Sequence, residues 1–227
     1  MSSSQRHPPG RFVVFEGGEG SGKSTQAERL ATRLGAVFTR EPGGTRIGVR
    51  LRALLLDSEC GDLQPRAEAL LLAADRAQHV AEVVRPALDR GCHVVSDRYV
   101  GSTLAYQGWG RGLDLAGLGD LARWATEGLQ ADLVVLLDID PEVAAGRLIG
   151  AGDRIEQAGR AFHRRVADGY RAMAAADPDR WVVIAGGDPA DRVTEAVWAA
   201  VTTRLCLSPD PHASLGRPKG KPATAGP

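Results

Sequence analysis

Lysine is nearly missing from this 227-residue chain: the three lysines are Lys23, Lys219 and Lys221, whereas arginine occurs 25 times. A surface so rich in arginine has no need of one isolated ammonium group, so Lys23 is a candidate functional residue. Asparagine is absent altogether. Because the body of the chain has neither asparagine nor a second lysine, the sequence excludes the Asn/Thr-Lys-x-Asp motif with which GTPase switches bind guanine.

Cysteine is also scarce, and the three residues present, Cys60, Cys92 and Cys206, are odd in number and widely spaced. This pattern excludes a disulfide framework and leads us to expect a reducing, cytoplasmic compartment. The five histidines form no pair at metal-ligand spacing. We therefore expect no structural zinc site.

Net charge and long apolar runs are missing as well. The 28 basic residues balance 28 acidic ones, so nothing in the overall charge indicates a nucleic-acid partner. No apolar run approaches the roughly 18 residues that a membrane span needs. The first ten residues lack the apolar segment of a secretory leader. We expect a chain that binds neither nucleic acid nor membrane.

The composition divides the chain into one body and two flanking segments. With 43% hydrophobic residues the body can bury a core. Residues 1–10 are polar and contain prolines, and residues 206–227 are rich in proline and glycine. Such segments bury too little apolar surface to fold, so we expect both to be disordered around a single domain at residues 11–205.

Within the body, short apolar runs alternate with helical stretches. The expected strands are residues 11–16, 36–40, 93–97, 133–138 and 181–185. The expected helices are residues 24–34, 45–56, 65–90, 113–127, 141–148, 157–176 and 189–204. Apolar runs without alternation, separated by helices, predict an α/β fold whose five-stranded parallel sheet carries helices on both faces.

A glycine-rich loop follows the first expected strand, where residues 17–24 read GGEGSGKS and fit G-x-x-x-x-G-K-[ST]. Backbone N–H groups of such a P-loop and the following helix dipole attract phosphates, Lys23 reaches the β- and γ-phosphates, and Ser24 binds Mg²⁺. The plain alternative is a glycine turn with a chance lysine, which the strand, loop and helix in register disfavour. The residues expected to bind the triphosphate are Gly17, Gly18, Glu19, Gly20, Ser21, Gly22, Lys23, Ser24 and Thr25.

Charged residues recur where the expected strands end, at Glu16, Arg40, Asp97 and Asp138. Ligands of such sheets gather at this edge. Asp97 suits a second support for Mg²⁺, and Arg98 beside it suits phosphoryl oxygens. A surface Asp–Arg pair that caps the next helix is the alternative for this dipeptide. Arg40, before a Pro-Gly-Gly turn, suits a second substrate that carries a monophosphate.

Two further stretches offer groups for reading a base. Arg76 shares an apolar helix face with Leu72, at i, i+4 spacing, and a buried arginine needs a partner. A base carbonyl is one candidate for that partner, and Asp75 or Glu68 is another. Residues 102–108 (STLAYQG) combine hydroxyl, amide and aromatic groups, which suit either a base edge or a polar helix start.

Small residues interrupt two expected helices around residues 147–157. A glycine-rich lid that brings a cation to the transferring phosphoryl group is a recurring device. The P-loop itself contains no arginine, so the catalytic cation must come from elsewhere. We expect Arg154 to supply it, with Arg147 as the alternative. The neighbouring arginines at positions 160, 164 and 165 fit a solvated helix face.

Taken together, these segments resemble the thymidylate kinase family. The matching pieces are FEGGEGSGKST, TREPGGT, LLLAADRAQHV, VVSDRYVGSTLAYQG, LVVLLDIDP and DRIE, in family order from residue 12 to about residue 156. The resemblance implies a P-loop fold of the nucleoside-monophosphate kinase type. It also implies γ-phosphoryl transfer from Mg²⁺-ATP to dTMP by a cytoplasmic homodimer.

The resemblance further implies a role for each matching position. Arg40 and Arg98 would hold the acceptor monophosphate, and Glu19 would contact the sugar 3′-hydroxyl. Arg76 would hydrogen-bond the thymine, and Tyr106 would lie where a ribose 2′-hydroxyl projects. The implied acceptor set is Glu19, Arg40, Leu72, Arg76, Arg98, Ser102, Thr103, Tyr106 and Gln107. The implied catalytic set is Lys23, Asp97, Arg98 and Arg154, and the implied metal ligands are Ser24 and Asp97.

Two departures from the family pattern bear on specificity and catalysis. Leu72 stands where the family usually has an aromatic residue that stacks on thymine, which leaves another monophosphate, such as deoxyuridylate or a purine nucleotide, as an alternative acceptor. The lid is short, which keeps Arg147 open beside Arg154. A P-loop regulator that transfers no phosphate to a small molecule is the alternative of a different class.

Overall fold

The computed structural model describes residues 10–59, 63–147 and 152–207. Cys60, the centre of the expected lid at residues 148–151 and most of both expected disordered ends lie outside the described residues. At the edges of the body, the Gly10 amide donates to the Leu88 carbonyl at 3.2 Å and the Leu207 amide donates to the Thr202 carbonyl at 3.1 Å. The described fold therefore includes one residue before and two residues after the expected domain.

A single sheet of five parallel strands forms the centre, in the order β2-β3-β1-β4-β5. This confirms the predicted α/β fold with a five-stranded parallel sheet. After β1 the chain continues to β2 on one side of it, and after β3 it crosses to β4 on the other side. This change of direction opens a crevice at the carboxyl ends of the strands. The strands are β1 Phe12–Glu16, β2 Val37–Arg40, β3 Val94–Asp97, β4 Leu133–Asp138 and β5 Trp181–Ala185.

Helices cover both faces of this sheet. The α-helices are α1 Lys23–Leu34, α2 Arg46–Leu56, α3 Pro65–His79, α4 Arg85–Asp89, α5 Val100–Thr103, α6 Leu115–Thr126, α7 Pro141–Ala145, α8 Arg160–Ala176 and α9 Ala190–Leu205. A 3₁₀ turn spans Glu156–Ala158, and π-helical turns span Val80–Val84 and Leu104–Gly110. No helix in the described ranges has both the length and the apolar character that crossing a bilayer requires.

The long helix predicted at residues 65–90 contains the first π-helical turn, between α3 and α4. The Arg85 amide donates to the Val80 carbonyl, five residues back. Pro86 follows directly; it has no N–H, and its ring would press on the carbonyl four residues earlier. The wider turn lets the helix pass this proline without breaking.

The second π-helical turn, Leu104–Gly110, continues α5, and our list of expected helices did not contain this element. Two glycines and a short polar opening hide its periodicity. The Arg111 amide closes the turn by donating to the Tyr106 carbonyl at 2.9 Å. Such turns occur frequently at functional sites because they re-aim side chains, and this one carries Tyr106 and Gln107.

Alternate residues of the central strands enter separate cores on the two faces. Val13 and Phe15 of β1 pack against α1 and α9, whereas Phe12 and Val14 pack toward the π-helical turn after α3. Period-2 alternation of strand side chains produces this division. Both faces are therefore dry, which explains the uninterrupted apolar runs in the sequence.

Truncation of a central strand residue tests this arrangement. Val135 of β4 is fully buried, whereas Val183 of β5 is 52% exposed. We expect Val135→Ala to lower the free energy of unfolding by about 2 kcal/mol, from two lost methyl groups and the space they leave. The matched Val183→Ala should cost about 0.5 kcal/mol or less. Urea titration of both variants measures the difference, and equal losses would contradict the assigned burial.

Candidate active site

The loop between β1 and α1 has the form of a phosphate cradle. Gly17, Gly20 and Gly22 all adopt positive φ, and α1 begins directly at Lys23. A side chain at Gly20 would come within 2.4 Å of the Ala144 carbonyl oxygen, so only glycine fits there. The loop amides and the amino end of α1 thus form a site for anionic oxygens.

Lys23 and Glu19 face each other within this loop. The Lys23 side chain is 6% exposed, its Nζ donates to the Gly18 carbonyl at 2.8 Å, and it lies 3.8 Å from the Glu19 carboxylate. Burial, with Arg98 nearby, lowers the pKa of Lys23. Burial also opposes the charge on Glu19, but Arg98 and Lys23 outweigh it and lower the pKa of Glu19 to about 2. The cradle therefore carries a charged carboxylate beside its ammonium group.

Ser24 and Asp97 join the first turn of α1 to the end of β3. The Ser24 hydroxyl donates to Asp97 Oδ2 at 2.5 Å. Asp97 Oδ1 is buried and has no hydrogen-bond partner among the described residues. An orphaned carboxylate oxygen next to a serine hydroxyl fits Mg²⁺, which takes one or two protein oxygens and fills its other positions with water and phosphate.

Arg98 connects four elements in the centre of the site. Its guanidinium donates to the Gly17 carbonyl at 3.2 Å, to Ser102 at 3.0 Å and to Tyr106 at 3.2 Å, and it forms an ion pair with Glu19. Burial opposes its charge, but Glu19 outweighs burial and raises the pKa of Arg98. Its backbone has φ 75°, a strained conformation for a residue with a side chain. The strain turns the side chain back toward the P-loop.

Glu16 lies beneath Arg98 at the end of β1 and is fully buried. Its carboxylate accepts hydrogen bonds from the Tyr99 amide at 3.0 Å, the Ser102 hydroxyl at 2.6 Å and the Tyr170 hydroxyl at 3.0 Å. Burial raises the pKa of Glu16 in spite of these bonds. The contacts fix the start of α5 against α8, so Glu16 supports the site without lining its phosphate side.

A cleft adjoins the P-loop, lined by charged, polar and apolar side chains. Most of the predicted acceptor residues line it together, namely Glu19, Leu72, Arg76, Arg98, Ser102, Thr103, Tyr106 and Gln107. Leu72 is half-buried on its wall. The structure thus brings together residues from the P-loop, α3 and α5 that lie far apart in the sequence.

The protein partner of Arg76 is Glu41, neither Asp75 nor Glu68 as the sequence suggested. Arg76 Nε donates to Glu41 at 2.7 Å, and its terminal nitrogens donate to Thr103 at 3.0 Å and to the Tyr99 carbonyl at 2.9 Å. Glu41 lies just after β2, so this long-range pair has no sequence signal. Each terminal nitrogen of Arg76 carries a second N–H, which leaves donors for a ligand in the cleft.

A chain of buried polar groups continues behind Glu41. His79 contacts Glu41 at 2.7 Å through one ring nitrogen and Thr39 at 2.6 Å through the other. Nearby, Asp75 is 1% exposed and accepts a hydrogen bond from the Gly43 amide at 3.0 Å. Burial, reinforced by the charge of Glu41, raises the pKa of Asp75 to about 6. This chain holds the Pro-Gly-Gly turn against α3.

Arg40 does not line the cleft but lies exposed at the end of β2, near a residue that the sequence reasoning missed. Arg52 of α2 lines the cleft and donates to the Pro42 carbonyl at 3.1 Å. Burial, then the charges of Arg40 and Arg98, lower the pKa of Arg52. The positive charges of Arg40, Arg52 and Arg98 thus act on one another at this end of the sheet, and such a concentration of one charge favours an anion. The missed signal is the spacing of Arg52 from the buried Gly48, four residues earlier on the same helix face.

The guanidinium groups of both lid arginines are paired with protein groups outside the P-loop. Arg154 Nη2 lies 2.6 Å from the Glu68 carboxylate, and its Nε donates to the Leu55 carbonyl at 3.0 Å. Arg147 donates to the carbonyls of Gly186 and Gly187 at 2.9 and 3.1 Å. The roles predicted for Arg154 and Arg147 therefore remain predictions. The arginines at positions 160, 164 and 165 are exposed, as expected.

A P-loop that faces an arginine-lined cleft for a second phosphorylated ligand defines a nucleoside-monophosphate kinase. The family model for thymidylate kinase matches residues 15–197. By this match, the chain belongs to the thymidylate kinase family.

Individual relatives agree with this family. The thymidylate kinase of Bifidobacterium longum is 50% identical over 204 residues, which cover 86% of this chain and 97% of the relative. That of Solidesulfovibrio magneticus is 51% identical over 204 residues, which cover 84% and 98%. The crystal structure of thymidylate kinase from Ehrlichia chaffeensis matches with a TM-score of 0.71 at 30% identity, over 86% of this chain and 99% of the other.

The raised pKa of Asp75 predicts a pH dependence of stability. In the unfolded chain Asp75 ionises near pH 3.8, whereas in the fold it stays protonated until about pH 6. Unfolding then releases a proton, so this residue's contribution to stability declines as pH rises between these values. Asp75→Asn cannot ionise, and we expect it to gain about 2–3 kcal/mol on wild type between pH 4 and pH 7.

Denaturant titrations at both pH values measure this change. Asp120→Asn is the matched control, because the Asp120 side chain is 71% exposed. A difference between wild type and Asp75→Asn that does not vary with pH would contradict the burial assigned to this carboxyl.

Proposed function

We propose that this protein transfers the γ-phosphoryl group of ATP to dTMP and so produces dTDP and ADP. The cleft beside the P-loop carries this proposal, because the donor cradle and the acceptor groups meet at Arg98. Membership of the thymidylate kinase family identifies the acceptor as dTMP.

On the donor side, the P-loop amides and Lys23 hold the β- and γ-phosphates of ATP. Burial and the nearby Arg98 both disfavour the positive charge on Lys23. A bound polyphosphate supplies negative charge that stabilises it. In-line phosphoryl transfer needs mainly positioning and charge neutralisation. The acceptor is a phosphate oxygen that is already anionic, so the site needs no strong general base.

Magnesium fits between Ser24 and Asp97, whose orphaned Oδ1 and neighbouring hydroxyl supply two oxygen ligands. A bound Mg²⁺ would be held by these two oxygens and would neutralise charge that develops on the donor phosphates. The buried position of Asp97 keeps its carboxylate fixed toward the cradle.

On the acceptor side, Arg98 and Arg52 hold the monophosphate in the cleft, and Arg40 adds positive charge from outside it. Arg98 reaches it from the β3 end, whereas Arg40 and Arg52 approach from β2 and α2. A bound phosphate would relieve the repulsion from Arg40 and Arg98, which adds to burial in lowering the pKa of Arg52. Planar guanidinium forks also orient the phosphate by paired hydrogen bonds, which a lysine cannot do equally well.

The remaining cleft residues hold the nucleoside. Arg76 donates to a carbonyl of the base, and Thr103 and Gln107 line the other edge. Tyr106 and Glu19, joined by a hydrogen bond of 2.9 Å, lie at the sugar. Leu72 provides apolar contact to the base in place of an aromatic ring, whose stacking is worth roughly 1–3 kcal/mol.

We place the protein in the cytoplasm as a homodimer. An enzyme that consumes ATP and a free deoxynucleotide works where these are dissolved. Trp124 of α6 is 80% exposed and lies on one shallow surface with Ala77 of α3 and Ala81 of the π-helical turn that follows it. Large exposed aromatic side chains of this kind are typical of surfaces that bury against a partner.

An acceptor panel tests the proposed function. Purified protein with ATP and Mg²⁺ should convert dTMP, measured by coupled release of ADP, and should act on it better than on dUMP, dGMP or dAMP. Removal of Mg²⁺ by a chelator should abolish turnover, because the donor phosphates lose their counter-ion. Preference for another monophosphate would overturn the assignment of dTMP as the acceptor. Turnover of none of them would overturn the proposed kinase activity.

Replacement of the lid arginine tests the catalytic cation. Arg154→Ala should lower kcat by about 10³-fold or more, because a well-placed arginine stabilises the charge of the transition state. The KM for ATP should change little. Arg164→Ala is the matched control, because Arg164 is 63% exposed on α8. Unchanged kcat for Arg154→Ala together with a large loss for Arg147→Ala would give the role to Arg147.

A further inference from the structure

We propose that Glu68 sets the base selectivity of the cleft by fixing which end of the Gln107 amide faces the base. On this proposal, which rests on the proposed function, Glu68 is a positioning residue for acceptors that carry an N–H between two carbonyl groups. It selects thymine or uracil against cytosine through the orientation of the Gln107 amide.

Glu68 is a fully buried carboxylate in the first turn of α3. Its Oε2 lies 2.6 Å from the Arg154 guanidinium and 3.4 Å from that of Arg111. Two cations around one buried carboxylate balance its charge, which makes the ionised form tolerable in the interior. Arg111 lies in turn 4.8 Å from the centre of the Phe162 ring, which fixes its position.

The other oxygen of Glu68 determines the orientation of Gln107. Gln107 Nε2 donates to Glu68 Oε1 at 2.7 Å, and Gln107 is 2% exposed. An ionised carboxylate only accepts hydrogen bonds, so it requires the NH₂ end of the amide to face it. The carbonyl end must then point the other way. Orientation of the amide thus follows from the charge of its neighbour.

The freed end of the amide is the part that reads the base. Gln107 lines the cleft with Arg76 and Thr103, and Gln107 Oε1 is buried with no hydrogen-bond partner among the described residues. A buried acceptor without a partner is costly, and a ligand that supplies a donor removes the cost. The cleft therefore offers one unsatisfied acceptor beside the donors of Arg76.

This pattern is complementary to one edge of a pyrimidine. Thymine and uracil present an N3–H donor next to the O4 acceptor, which match Gln107 Oε1 and Arg76. Cytosine presents an N3 acceptor next to an amino donor, so both groups would meet like partners. A site built to hydrogen-bond a polar edge rejects a ligand with the wrong edge strongly, because its buried groups are left unpaired. Leu72 makes only apolar contact and cannot contribute to this discrimination.

Glu68→Gln tests the proposal by removing the charge while keeping the shape. The new amide can donate as well as accept, so Gln107 is no longer held in one orientation. We expect the ratio of kcat/KM for dTMP to that for dCMP to fall about tenfold or more. The ratio for dTMP to dUMP should stay at the wild-type value, because both bases carry N3–H. A purely structural loss would lower all three activities together and leave both ratios unchanged, which would overturn the proposal.

Glu82→Gln is the matched control, because Glu82 lies in the π-helical turn that continues α3 and accepts a hydrogen bond from Gln78 at the protein surface. It should leave both ratios unchanged. If Glu68→Gln fails to fold, Gln107→Met gives the same test, because it removes the amide and keeps the volume. An unchanged dTMP to dCMP ratio in Gln107→Met would overturn the proposal.

Assays of the wild-type protein distinguish failure of this proposal from failure of the proposed function. If wild type does not phosphorylate dTMP, the proposed function fails. Binding of dTMP, dUMP and dCMP, measured by calorimetry without ATP, then tests Glu68 independently of turnover. The same loss of the dTMP preference in Glu68→Gln binding would support the proposal, and an unchanged preference would overturn it.

Discussion

The ion pair between Arg98 and Glu19 is the interaction on which the rest of the site depends. It joins β3 to the P-loop, and through Ser102 and Tyr106 it also holds α5 and its π-helical extension. The positive φ of Arg98 is tolerated because neighbouring hydrogen bonds determine it: its amide donates to the Phe15 carbonyl at 2.9 Å and its carbonyl accepts from Ser96 at 2.8 Å. The local strain thus accompanies a cation that is fixed between the P-loop and the cleft.

Buried charges elsewhere in the cleft follow the same principle of paired ions. Arg76 is held by Glu41, and Arg154 by Glu68, and all four side chains are at most 10% exposed. Burying ions is costly unless geometry and additional hydrogen bonds compensate. These ion pairs fix the orientation of the side chains that line the cleft, because a charged partner determines which of their donors or acceptors remain for a ligand. On our proposal, specificity for the base depends on these charged partners as well as on the donors and acceptors that they orient.

The sequence revealed the parts of the site that follow from local chemistry. The P-loop and Asp97 at the end of β3 were predictable, because strand, turn and helix signals adjoin them and fix their direction. Arg52 and the Glu41 partner of Arg76 were missed, because their importance arises only when α2 and β2 pack beside α3. The helical extension after α5 was missed because glycines and a wide turn conceal its period. Sequence periodicity reports local geometry, whereas these contacts are products of packing.

The wide turn at Leu104–Gly110 also limits how the chain can change during evolution. A π-helical turn holds one residue more than the α-helical turn that would otherwise occupy its place. Loss of a single residue there would rewind the segment and rotate everything after it by about 100° around the helix axis. Arg111 would then face away from α3. We therefore expect this segment to tolerate substitutions more readily than insertions or deletions.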